Sequence, residues 1–147
     1  MRHSLTRVLP YTAEQLFDLV GDVEQYPRFV RWVTQLRTWN RRDQPDGSVL
    51  VDAEAKVRFS VIRERFATRV RLDRPAMVID VALLSGPFKR LENHWRFESR
   101  DDGVELRFEI DFEFGSRFLE ALLAANLERA VAKLVACFED RARELYG

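Results

Sequence analysis

Two polar side chains occupy strand positions where the pattern predicts apolar ones. Asn93 shares the two-residue spacing of Leu91 and Trp95, and Glu64 stands in the same relation to Phe66. Because alternate residues of a strand share one face, both side chains are placed on the apolar side. A polar group there can hold the head group of a ligand. Either residue can equally lie near a strand end or pair with an arginine, and the sequence leaves these alternatives open.

Groups that could catalyse a reaction are few. The chain has two histidines, and His94 falls on the polar face of its strand, which favours a solvated side chain. The one cysteine, Cys137, lies among apolar residues with no base beside it, as a small buried thiol does. The sequence contains no nucleophile elbow, phosphate loop or dinucleotide motif, and no metal-ligand spacing. It therefore predicts no catalytic residue and no metal.

Aromatic residues are abundant, with eleven Phe, three Trp and three Tyr. Over residues 104–114 apolar and charged residues alternate without exception, so this strand has one apolar and one solvated face. Most aromatic residues must belong to the core. A sheet that grips a helix nevertheless encloses more volume than a small chain usually fills, and an unfilled apolar cavity admits an apolar ligand. A close-packed core without a cavity is the alternative.

The elements that position these residues follow from the hydrophobic period. The predicted strands cover residues 3–9, 33–41, 49–57, 62–72, 77–83, 91–97 and 104–114. A capping box at Thr12 and Gln15 starts a short helix, and Asp22 offers a cap for one more turn. Residues 116–146 have helical spacing, which predicts one helix of about 45 Å. The sequence thus predicts an α+β fold with a long C-terminal helix across an antiparallel sheet of about seven strands.

One predicted strand carries a row of positive charge on its polar face. Its members are Arg63, Arg65, Arg69 and Arg71. Such a basic stripe can contact RNA phosphates or another anionic surface. The alternative is that these arginines pair with acidic residues on adjacent strands.

Length and composition bound the protein class. The 147 residues, with 24 basic and 24 acidic side chains, favour one domain over residues 1–147 and argue against a generic nucleic-acid binder. No apolar run approaches the ~20 residues that span a bilayer. The first residues lack the apolar core of a signal peptide, and the chain has a single cysteine. These features predict a cytoplasmic protein.

Four segments, in this order, carry a resemblance to a known family. They are PYTAEQLFDLV (10–20), DVEQYPRF (22–29), GPFKRL with WRF (86–97) and IDFEFGS (110–116). Together they resemble the coenzyme Q-binding protein family, which also contains the bacterial ribosome-association toxin and belongs to the StAR-related lipid-transfer and polyketide-cyclase-like group. The resemblance covers essentially the whole chain. It implies a helix-grip (START-like) fold, in which the sheet curves round the C-terminal helix and encloses a hydrophobic tunnel.

The resemblance also implies a function. The protein is expected to bind ubiquinone or a similar polyprenyl lipid without catalysis, as a carrier that supports respiration, with no other cofactor. It would then contact the membrane surface transiently, at the periphery of the inner membrane. The alternative is a toxin-like protein that binds the large ribosomal subunit and blocks subunit joining. Catalysis rests on fold analogy alone and ranks third.

A tunnel for such a lipid needs apolar walls and one polar spot near its mouth. The residues expected at the mouth are Phe29, Trp32, Phe88 and Trp95. Those expected along the tunnel are Phe66, Met77, Phe108, Leu122 and Leu127. Asn93 is the expected polar contact.

Overall fold

Seven antiparallel strands form one open sheet in this computed structural model, which describes residues 1–59 and 61–147. The strands are β1 (Arg2–Leu9), β2 (Val33–Asp43), β3 (Val49–Phe59), β4 (Ile62–Asp73), β5 (Val78–Ser85), β6 (Phe88–Arg100) and β7 (Gly103–Phe114). Their order across the sheet is β1-β7-β6-β5-β4-β3-β2. The predicted α+β class and the strands from the alternation are confirmed.

Burial follows the alternation along β7. Val104, Leu106, Phe108 and Phe112 are at most 2% exposed, whereas the charged residues between them lie on the other face. Strands with this pattern bury one face against a second layer. The inner face of the sheet therefore forms the core with the helices that cover it.

The first helix, α1 (Ala13–Gly21), starts at the predicted capping box. The Thr12 hydroxyl accepts a hydrogen bond from the Gln15 backbone N–H at 3.1 Å, and the Gln15 side chain accepts one from the Thr12 N–H at 3.0 Å. These bonds satisfy two N–H groups that a helix start would otherwise leave unpaired. A 3-10 helix, Val23–Arg28, follows, but the predicted side-chain cap at Asp22 is wrong: its carboxylate accepts no hydrogen bond from a backbone N–H of the described residues there.

The C-terminal segment forms two helices, α2 (Arg117–Ala124) and α3 (Leu127–Tyr146), so the prediction of one continuous helix is wrong. The break contains neither Gly nor Pro. The Asn126 side-chain amide instead donates to the Leu122 carbonyl at 3.3 Å, one of the carbonyls that the end of α2 leaves free. At 20 residues α3 is about 30 Å long. None of the described helices is long and apolar enough to cross a membrane.

Helix α2 is attached weakly to the rest of the molecule. None of its residues is buried. The Glu120 carboxylate accepts a hydrogen bond from the Phe114 N–H at 2.9 Å, which joins the helix to the end of β7. The Ser116 hydroxyl caps its first turn by accepting from the Leu119 N–H at 3.4 Å.

The hairpin of β3 and β4 closes where Phe59 pairs with Ile62, between the strands predicted over residues 49–57 and 62–72. Ser60 lies outside the described residues. The pairing continues with Ala55 opposite Phe66 and Ala53 opposite Thr68. Directly paired residues share a face, so all of these side chains lie on the inner side of the sheet.

Gly86 sets the approach of the β5–β6 turn to β4. Its φ is +147°, and a Cβ atom there would come within 2.5 Å of the Phe66 Cβ. Only glycine fits such a backbone and such an approach without strain. The turn therefore brings Phe88 against Phe66, with ring centroids 5.4 Å apart in an edge-to-face contact.

Candidate ligand-binding cavity

A cavity of about 360 Å³ lies between the inner face of the sheet and helices α2 and α3. Strands β2 to β7 and both helices contribute to its wall. The aromatic residues that line it are Tyr26, Trp32, Phe59, Phe66, Phe88, Trp95, Phe108, Phe112, Phe114 and Phe138. Ligand sites of this kind usually measure about 300–1,000 Å³ and are lined mostly by apolar side chains.

Small side chains create this space. On β3 the inward residues Ala53 and Ala55 lie opposite Thr68 and Phe66, and Ala130 lines the cavity from α3. Protein interiors are otherwise packed as densely as organic crystals. Alanine at these three wall positions, two in the sheet and one in α3, leaves space that larger side chains would fill.

The cavity opens at the end of the sheet where β3 turns into β4. Of the residues that line it, Phe59 and Lys133 are exposed, and Ile62, Leu123 and Leu127 are partly so. The opposite end is closed by residues such as Ile79, which is 1% exposed. The opening therefore lies between the β3–β4 hairpin and helices α2 and α3.

Asn93 is the central polar group in the wall. Its amide nitrogen donates to the Glu109 carbonyl at 2.9 Å, and its amide oxygen accepts from the Trp95 indole N–H at 2.8 Å. These bonds fix the side chain in position. They leave one amide hydrogen and one oxygen lone pair for a further partner.

Two other polar groups in the wall are neutral. Thr68 is 7% exposed, and its hydroxyl makes no hydrogen bond to the residues that the structure describes. The Tyr26 hydroxyl donates to the Val20 carbonyl, and burial raises the pKa of Tyr26, so the phenol stays protonated. Among the described lining residues the one charged side chain is Lys133, at the opening. The interior thus suits a neutral ligand that is mostly apolar.

Comparison with known proteins identifies the family. The model of the family described as "Polyketide cyclase / dehydrase and lipid transport" matches residues 9–139. The chain belongs to this family. The resemblance that the four sequence segments carry is confirmed.

Alignments with individual relatives extend over nearly the whole chain. The ribosome association toxin RatA of Rickettsia prowazekii is 33% identical over 95% of this chain and 94% of its own length. The mitochondrial coenzyme Q-binding protein COQ10 homolog B of Xenopus laevis is 28% identical, and the match covers 100% of this chain and 60% of that protein. The solution structure of the 18 kDa Caulobacter crescentus protein CC1736 is 57% identical, with a TM-score of 0.84 over 100% and 99% of the two chains.

Seven of the ten residues expected to contact a ligand lie in the cavity wall of this protein. They are Trp32, Phe66, Phe88, Asn93, Trp95, Phe108 and Leu127. Their contact with a ligand stays a prediction. Trp95 is not at the mouth as expected: it is 4% exposed, and its ring lies 4.8 Å from that of Phe108 and 5.0 Å from that of Phe138. It forms part of the inner wall because β6 places it well beyond the strand start at the opening.

The other three residues do not belong to the described wall. Phe29 instead packs edge-on against Tyr26 and Phe138, with ring centroids 5.8 and 5.2 Å apart. Met77 precedes β5 in a turn with φ +55°, where its carbonyl accepts from the Phe97 N–H at 3.0 Å.

Leu122 misses the cavity by one position. Its neighbour Leu123 lines the cavity instead. Leu123 lies four residues before Leu127 and continues the inner face of α3, whereas Leu122 lies one position off that face.

Several residues of the cavity wall were not predicted from the sequence. Phe59 and Phe112 show the alternation of their strands, so the pattern could have included them. Nothing in the sequence singles out Lys133, which is a charged residue on an otherwise amphipathic helix. Glu64 lies opposite Val57 near the opening but outside the described wall.

The groups weighed for catalysis lie elsewhere. His94 is on the outer face of the sheet, with its Nδ1 2.6 Å from an Asp80 carboxylate oxygen, and its side chain is 46% exposed. Burial raises the pKa of the Cys137 thiol, which makes it a poorer nucleophile. Among the described residues no cluster of three or more His, Cys, Asp or Glu side chains could hold a metal ion.

The basic stripe divides into two halves. Arg69 lies 3.1 Å from the carboxylate of Asp52 on β3, and Arg71 lies 3.5 Å from that of Asp80 on β5 and 2.8 Å from that of Asp46. The acidic-neighbour alternative therefore holds for this half. Arg63 and Arg65 are exposed and form no salt bridge with a residue that the structure describes. Contact of the stripe with RNA or another anionic surface stays a prediction.

Proposed function

We propose that this protein binds ubiquinone or a similar polyprenyl lipid in the cavity and carries it without catalysing a reaction. The observation that supports this proposal is the apolar cavity with neutral polar groups in its wall. A quinone is uncharged, and its carbonyl oxygens accept hydrogen bonds. The free amide hydrogen of Asn93 and the Thr68 hydroxyl are suitable donors.

The size of the cavity determines how such a lipid would lie. A volume of about 360 Å³ is in the lower part of the usual range for ligand sites. It accommodates a head group and the first part of a tail, while a longer tail continues through the opening beside Phe59 and Leu127. The aromatic wall residues Phe66, Phe88 and Phe108 then contact the tail.

Binding without catalysis is supported by the side chains that line the cavity and by the names of the relatives. Neither the coenzyme Q-binding protein nor the ribosome association toxin is named as an enzyme, although the family description includes a cyclase and a dehydrase. As a lipid carrier, the protein would act in the cytoplasm and at the periphery of the inner membrane in support of respiratory electron transport.

Two measurements test the ligand. Mass spectrometry of lipids that copurify with protein prepared gently from its own host should identify a polyprenyl quinone. Titration with a short-tailed ubiquinone should quench the fluorescence of Trp32 and Trp95 saturably, since both line the cavity. An alkane of the same tail length, without the quinone, is the matched ligand control.

Asn93→Leu tests the head-group contact. Loss of one hydrogen bond, worth about 0.5–1.5 kcal/mol, should weaken quinone binding by about twofold to 13-fold and leave alkane binding nearly unchanged. Equal affinity of the wild-type protein for the alkane and the quinone would contradict the quinone assignment. Absence of saturable binding of either ligand would contradict lipid binding altogether.

A second candidate function is association with the large ribosomal subunit. It is supported by the relative named ribosome association toxin, which aligns over 95% of this chain. The test is co-sedimentation with purified ribosomal subunits over a series of salt concentrations, because contacts to phosphates weaken steeply with salt. Protein that stays in the supernatant at low salt would rule this function out.

A further inference from the structure

The tip of the β3–β4 hairpin carries two pairs of like charges. Arg58 lies directly opposite Arg63, and Lys56 lies directly opposite Arg65, all on the outer face. Like charges in this arrangement destabilise a sheet. None of the four forms a salt bridge with the described part of the chain. Four residues further along β3, on the same outer face, Asp52 by contrast lies opposite Arg69 and binds it at 3.1 Å.

The same tip exposes apolar side chains. Val61 is 75% exposed, and Phe59 is 36% exposed with its ring 5.9 Å from that of Trp32. Phe118, on the neighbouring helix α2, is 67% exposed. Single exposed apolar residues are common on soluble proteins. Here Phe59 and Val61 adjoin the four cations along the chain, and Phe59 also lies at the opening of the cavity.

We propose that this hairpin tip binds the surface of an anionic lipid bilayer. Lys56, Arg58, Arg63 and Arg65 meet the phosphate groups, while Phe59 and Val61 enter the interfacial region. Basic residues combined with exposed apolar ones bind anionic membranes in this way. The bilayer adds negative charge beside the four cations, whose acidic neighbour on the outer face, Glu54, already binds Arg37 at 3.1 Å. An RNA would offset the charges equally well but would leave the exposed aliphatic side chain of Val61 in water.

The position of the hairpin tip relates the membrane contact to lipid transfer. This relation rests on the proposed function. Phe59 belongs both to the tip and to the wall of the cavity. A bilayer bound there faces the opening, so a lipid can pass between membrane and cavity without its tail crossing water. The membrane contact itself follows from the surface alone.

Vesicle flotation tests the contact. Wild-type protein should float with vesicles of phosphatidylcholine containing one-third phosphatidylglycerol and should remain unbound with phosphatidylcholine alone. Each Lys or Arg near an anionic surface changes the partition coefficient by about fivefold. The double variant Arg63→Glu/Arg65→Glu should therefore lose at least about 25-fold in binding. Val61→Asp, at an exposed turn, should lose about tenfold through the apolar contribution.

The double variant also separates binding from folding. It converts both like-charge pairs into opposite-charge pairs with Arg58 and Lys56, so its melting temperature should equal or exceed that of the wild type. The matched control is Arg41→Glu/Arg96→Glu, which changes the net charge equally at exposed positions away from the tip. It should keep binding within about twofold, since surface charges beyond the Debye length are screened.

Three results would overturn the proposal: no flotation of the wild-type protein with anionic vesicles, equal loss in the tip and control variants, or binding to ribosomal subunits without binding to vesicles. Quinone titration in solution distinguishes the membrane contact from the proposed lipid binding in the cavity. Val61 does not belong to the described wall, so Val61→Asp should bind short-tailed ubiquinone as the wild type does. Flotation without quinone binding would leave the membrane contact standing and refute the proposed function.

Discussion

An indole placed in the cavity would distinguish an open cavity from a close-packed core. Ala53 is 4% exposed, and it lines the cavity from β3. Its paired neighbours across the strands are Thr38 and Thr68, so no aromatic ring lies directly beside it in the sheet. In Ala53→Trp the new side chain therefore extends into the space of about 360 Å³.

The expected effect on stability follows from the two packing alternatives. An extra ~150 Å² of buried apolar surface stabilises by at most about 4 kcal/mol. In a core without a cavity the added bulk costs about 1–3 kcal/mol instead. For a chain of this length 1 kcal/mol shifts the melting temperature by about 2–4 °C. A close-packed core thus loses roughly 2–12 °C, whereas the open cavity keeps or raises the melting temperature.

The assay combines thermal melting with titration of a short-tailed ubiquinone. Ala53→Trp should melt at or above the wild-type temperature and bind the quinone at least about tenfold more weakly, because the indole occupies the site. Leu122→Trp is the control: it places the same indole on α2 outside the described wall and should bind normally. A variant at Ala53 that keeps wild-type affinity, or one that is destabilised as a close-packed core would be, refutes the reasoning.

Three further predictions concern stability. Phe112→Asp buries a carboxylate at a site that is 2% exposed and should prevent folding; a soluble variant with cooperative unfolding would contradict the packing. Gly86→Ala places a Cβ against Phe66 and should reduce the free energy of unfolding by about 1–3 kcal/mol in urea titrations. Burial acts to raise the pKa of Asp52, but hydrogen bonds, foremost that from Arg69, outweigh it and hold the pKa below its usual range. Stability from this group is therefore present above the ordinary carboxyl pKa and lost as the pH falls through the folded value, so Asp52→Asn should lose less stability than the wild type between about pH 5 and pH 2.

The strands of the sheet could be predicted because the alternation of apolar and polar residues is a local sequence pattern. Strands with one solvated face alternate visibly, and β7 shows the pattern over its whole length. The break between α2 and α3 could not, since neither Gly nor Pro marks residues 125–126; in the structure the Phe114 N–H donates to Glu120 and joins α2 to the end of β7. Tertiary contacts of this kind override local propensity.

The cavity wall could be predicted only in part. Residues on regular strands, such as Phe66 and Phe108, follow from the alternation. Leu122 was misplaced because it lies one position off the helical face shared by Leu123 and Leu127, and Met77 because a left-handed turn changes which side chain faces inward. The existence of empty space does not follow from the pattern at all, since a filled core has the same alternation. It depends on the alanines at positions 53, 55 and 130, whose smallness matters only once the sheet and helix are packed.

The neutral, apolar wall of the cavity determines the enthalpy and heat-capacity changes expected on ligand binding. A space surrounded by Phe, Leu and Val, with Asn93 and Thr68 as its donors, orders little water, so an incoming ligand displaces few well-bonded molecules. Association with a poorly hydrated apolar pocket is commonly enthalpy-driven at room temperature, with a negative change in heat capacity. Calorimetry over a range of temperatures should therefore show heat release that grows on warming, in contrast to the salt-sensitive contact made by the charged outer face of the hairpin.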